Sequence, residues 1–78
     1  MRQRLKDLME FGADIEFTVN GKDFVILAWV KEGIVIGPAD IDEDAIFPDA
    51  DSLMDGYIVD GKPLSEWMDE IVIRFSTF

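Results

Sequence analysis

Seventy-eight residues make one small domain, 1–78, which buries only about two thirds of the surface its unfolded chain exposes. Seventeen Asp and Glu stand against seven Lys and Arg, a net charge of −10, and neither cysteine nor histidine occurs. Those counts exclude disulfide support, Cys- or His-based catalysis and zinc sites of the Cys/His kind, and they argue against direct nucleic-acid binding through phosphates.

The chain begins with a short amphipathic helix over residues 2–11. Leu5, Leu8 and Met9 share one face, and Gly12 stands at the C-terminal cap. Its bases come first and Glu10 comes late, opposite to what the helix dipole favours, so docking must stabilise it. Asp14 to Val19 alternates, with Ile15, Phe17 and Val19 facing inward. Asn20-Gly21 follows, the pair that suits a type I′ turn because both positions need positive φ. A two-residue turn fixes the register: Val19 opposite Lys22, Phe17 opposite Phe24, Ile15 opposite Ile26. The inner face then continues through Phe24, Ile26, Ala28 and Val30, and Val25, Leu27 and Trp29 point the other way. Lys31-Glu32-Gly33 reads as a three-residue turn that pairs Val30 with Ile34, which places Ile34 and Ile36 inside and Val35 beside Trp29.

Gly37-Pro38 ends this meander, and residues 39–52 read as a long acidic connection pinned by Ile41, Ile46 and Phe47. Ser52 to Asp55 suits one helical turn capped by Asp49 or Asp51 and closed by Gly56. Tyr57 to Val59 is extended, and Asp60-Gly61-Lys62-Pro63 turns into a helix whose stripe is Leu64, Trp67, Met68 and Ile71. Residues 71–75 return as a strand. The expected fold is α+β: a small antiparallel sheet, a three-stranded meander plus a C-terminal strand, with an N-terminal helix and a C-terminal-half helix packed on it. The second helix, or both, is expected to cover Val25, Leu27, Trp29 and Val35. Failing that, this face is a self-association surface, and the chain a homodimer.

The charge is uneven. Residues 1–39 hold six acids and five bases; residues 40–70 hold eleven acids and Lys62 alone. This gives the domain a negative pole. Asp40-x-Asp42-x-Asp44 has the odd spacing of a calcium loop, but Ala45 stands where the loop's sharp turn wants glycine and Asp51 where it wants a bidentate glutamate, so no metal site is expected. Ser65, with Lys62 three residues earlier, reads as a helix-start residue. No motif argues for an enzyme or a cofactor. The longest apolar run, Phe24 to Val30, is far short of a membrane span, and the basic N-terminus leads into no apolar run of the signal-peptide kind, so a cytoplasmic protein is expected.

Phe17-Thr18-Val19-Asn20-Gly21-Lys22 and, later, Tyr57-Ile58-Val59-Asp60-Gly61-Lys62-Pro63-Leu64 carry a likeness over roughly residues 14–71. In them the chain resembles small proteins encoded in phages, prophages and mobile elements of Gram-positive bacteria. That resemblance implies a setting as a mobile-element accessory protein in a bacterial cytoplasm, and neither an activity nor catalytic residues.

The functional expectation is a non-enzymatic acidic protein that engages a basic protein, with imitation of nucleic-acid phosphates as one form of it. Asp40, Asp42, Glu43, Asp44, Asp49 and Asp51 would supply the charge and Tyr57 an aromatic anchor. The alternative is a structural module dimerising through Val25, Leu27, Trp29 and Val35, with acidity serving solubility.

Overall fold

The computed structural model describes residues 1–77. Helix α1 (Arg2–Glu10) leads into strands β1 (Asp14–Val19), β2 (Lys22–Leu27), β3 (Ile34–Pro38) and β4 (Ala45–Phe47). Helix α2 (Ala50–Gly56), a small hairpin of β5 (Ile58–Val59) and β6 (Lys62–Pro63), a 3-10 helix (Leu64–Glu70) and β7 (Val72–Ser76) complete the described chain. The main sheet is antiparallel in the order β4-β3-β2-β1-β7, so the C-terminal strand closes against β1 and the fold is α+β as expected. Among the described residues no helix is long and apolar enough to cross a membrane.

The Asn20-Gly21 turn behaves as its residues require. Asn20 and Gly21 have φ of 50° and 74°, and the register is Val19↔Lys22, Phe17↔Phe24 and Ile15↔Ile26. Phe17 and Phe24 stack across the pair with ring centroids 5.4 Å apart. On this face Ile15, Phe17, Ile26 and Ile36 are fully buried beneath Leu5, Leu53 and Leu64, and every residue of the buried core is hydrophobic. Removing the side chain of any of these costs about 2–5 kcal/mol, a large part of a small domain's stability.

Three expectations are corrected. β2 stops at Leu27, and its register with β3 is Ile26↔Ile36, not the Ala28↔Ile36 that a three-residue turn would impose. Ala28 N–H still donates to Ala13 C=O on the β1 side, while on the β3 side the pairing has ended and residues 28–33 form a longer loop. The shift is two residues, which preserves faces: Ile34 and Ile36 stay inside and Val35 outside. Trp29 falls past the strand end, 63% exposed. Second, the acidic connection contains β4, which adds a fifth strand through Ile34↔Phe47 and Ile36↔Ala45. Third, both helices and the 3-10 helix join the one core, and among the described residues no helix lies on the opposite face of the sheet.

The last helix is 3-10 in geometry, yet the stripe holds: Leu64, Trp67 and Ile71 are buried and Met68 is half-buried. Trp67 Nε1–H donates to Val59 C=O at 2.9 Å and ties this helix to the β5–β6 hairpin.

Candidate functional site

The acidic residues grouped by sequence are divided by the fold. Asp49 is the N-cap of α2; its side chain accepts from Ser52 N–H at 2.8 Å. Asp51 accepts from Arg2 (3.1 Å) and Lys6 (3.0 Å), and Asp55 from Arg2 (3.0 Å). Here α1's unfavourably placed bases find their use, because they face α2 and join the two helices. Hydrogen bonds from Lys6 and Arg2 hold the Asp51 carboxyl below the usual carboxylate range, and Arg2 does the same to Asp55. Asp49 and Asp51, both exposed, thus have partners within the domain: the first caps α2 and the second pairs with α1.

Asp40, Asp42, Glu43 and Asp44 are different. All four are exposed, and among the described residues no hydrogen bond or ion pair engages their carboxylates. Asp40, Ile41 and Glu43 form one wall of a groove of about 660 Å³ at the end of the sheet. Gly21, Lys22 and Asp23 of the first hairpin also line it, and the remainder is Phe24, Pro38, Ala39, Tyr57, Ile58, Val59 and Asp60. Asp42 does not line it. Tyr57 is half-buried, set edge-on to Phe24 (centroids 5.9 Å) and Phe47 (6.4 Å), so its ring is fixed and one side lines the groove. Burial raises the Tyr57 phenol, and the charges of Asp44 and Glu43 raise it further.

Sequence reasoning missed the pairing of the two turns. Asn20 Nδ2 donates to Asp60 at 2.6 Å and Lys22 Nζ also donates to Asp60, whose carboxyl is lowered first by Lys22 and then by Asn20. Asp60 and Gly61 have positive φ (48° and 84°), as Asn20 and Gly21 do. The repeated Asn/Asp-Gly-Lys signature was the visible signal, since two like turns with complementary side chains can dock. Lys62, the lone base of the acidic region, lies over the Trp67 ring, 4.1 Å from its centroid, away from any pairing with Ser65. Among the described residues no three acidic groups converge to hold a metal ion.

On the sheet's uncovered face Val25, Leu27 and Val35 are half-buried, while Ile46, Val72 and Phe75 are exposed by more than half. Searches of protein-family models, curated proteins and solved structures found no match to this chain.

Proposed function

We propose that this is a non-enzymatic binding protein whose groove takes a basic segment of another protein, in the accessory setting of a phage or mobile element. The observation that carries the reading is the juxtaposition of the unpaired carboxylates Asp40 and Glu43 with the fixed ring of Tyr57 in one groove. Free carboxylates steer a basic partner at long range, and a rigid aromatic in a partly desolvated groove supplies short-range hold. Asp60 is already occupied by Lys22 and Asn20, so it shapes the groove and contributes little free charge.

The test begins with capture of binding proteins from a bacterial lysate at low and high salt, followed by kinetics on the purified partner. Asp40→Asn/Glu43→Gln/Asp44→Asn should lower the association rate about ten-fold at low salt and much less at ten-fold higher salt. Tyr57→Ala should speed dissociation. A partner indifferent to salt and to both changes would leave the acidity as a solubility feature.

A further inference from the structure

The sheet face opposite the core is apolar at its centre and acidic around it. Continuing the registers across it, Ile46, Val35 and Leu27 form one apolar row that ends at Asp14, and Val25 lies between Gly37 and Glu16 in the next. Gly37 leaves this floor without a side chain beside Val25. A Cβ there would run into Asp44 Oδ1, so the Asp44 carboxylate lies over that position on the same face. The apolar patch is thus flanked on one side by Asp44 and on the other by Asp14 and Glu16. The Asp44 carboxylate, over Gly37 in β3, is two strand steps from Glu16 in β1, about 10 Å at the usual strand spacing.

The charge decides the occupant. This face holds Asp14, Glu16, Asp44 and Asp23, the last accepting from Thr18 Oγ1 at 2.5 Å, against Arg74, which lies 3.5 Å from Thr18 Oγ1. A second copy of the chain would bring these carboxylates against their own kind in two molecules of net charge −10. The complement is apolar in the centre and basic on both sides. A helix about 10–12 Å across, with a leucine-like ridge and Lys or Arg on its flanks, has that section, and long basic side chains reach outward from such a ridge.

We infer that the β2–β3 face, bounded by Asp44, Asp14 and Glu16, docks a basic amphipathic helix of a partner protein, separately from the groove at Tyr57. The probe is a synthetic 14-residue amphipathic peptide of leucine and lysine, with a scrambled peptide of the same composition as control, titrated into the isotope-labelled chain. The amphipathic peptide should bind at least ten-fold tighter than its scramble and should shift the methyl signals of Val25, Leu27, Val35 and Ile46. Glu16→Lys, a change at an exposed position that leaves the core untouched, should weaken it several-fold. Leu27→Lys should weaken it ten-fold or more, with native-like spectra showing that the fold persists. Equal binding of the two peptides overturns the inference. So do shifts confined to Tyr57, Asp40 and Glu43, which would leave the groove reading standing. Concentration-dependent dimerisation of the free chain through the same methyls would assign the face to a second copy instead.

Discussion

Asp40 and Asp51 carry the same group, lie eleven positions apart and belong to one acidic stretch, yet the fold uses them in opposite ways. Asp51 and its helix neighbour Asp55 are ion-paired to α1, while Asp40 and Glu43 stand unpaired at a groove. The difference lies in where the bases are. α2 is held against α1 by Ala50, Leu53 and Met54, and this apolar docking puts its carboxylates within reach of Arg2 and Lys6. Among the described residues no base pairs with the loop before β4, and Lys22, which lines the same groove, is engaged by Asp60. Net charge per segment therefore overstates the surface available to a partner, because the part nearest the domain's own cations is neutralised by folding.

That contrast can be broken from its apolar side first. Leu53 is fully buried on the inner face of α2, so Leu53→Ala should cost about 2–5 kcal/mol in chemical denaturation and loosen the Arg2–Asp51 contact with it. Ile41, half exposed in the acidic loop, should change stability by no more than about 0.5 kcal/mol when cut to Ala. Next comes the cap: Asp49→Ala should cost about 0.5–2 kcal/mol, whereas Asp42→Ala should be close to neutral in the same assay.

Much of this architecture could be read from the chain, and the failures have physical causes. The hairpin, its register and the inner set Ile15, Phe17, Phe24 and Ile26 follow from one Asn-Gly turn, because local φ preference fixes everything paired to it. β4 was hidden: Ala45-Ile46-Phe47 is three residues between Asp44 and Pro48, and only pairing with β3 makes it a strand. The ion pairs of Arg2 and Lys6 join residues 45 to 53 positions apart, and no local pattern encodes them. For the proposed site, charge and residue type pointed to Asp40, Glu43 and Tyr57, and the fold adds that all three line one groove. Asp49 and Asp51, chemically identical, were not separable until α2 had a place.

Acid should sharpen the comparison by a smaller amount. The folded carboxyls of Asp51, Asp55 and Asp60 lie below their ordinary values. Their contribution is therefore present above the unfolded value, about pH 4, and is lost as pH falls through the folded ones. Thermal melts should show Asp51→Asn less stable than the parent at pH 7, with the gap closing as pH drops toward 2. A gap that persists at low pH would mean that the pairing with Arg2 and Lys6 does not stabilise the helix contact. The smallest effect is expected from calcium: submillimolar additions should leave Tm nearly unchanged, since Asp40–Asp44 lacks both the glycine and the bidentate ligand of a binding loop. A rise of several degrees would turn that loop from steering surface into metal site.

The most direct measurement compares two variants that remove the same formal charge, Asp40→Asn/Glu43→Gln and Asp51→Asn/Asp55→Asn. Each would be assayed for its rate of association with a lysine-rich peptide at low salt. The groove reading predicts that the loop pair slows association several-fold and that the α2 pair leaves it nearly unaltered, with the difference fading at ten-fold higher salt. Equal slowing by both would contradict it, because association would then follow net charge alone and not the free carboxylates beside Tyr57.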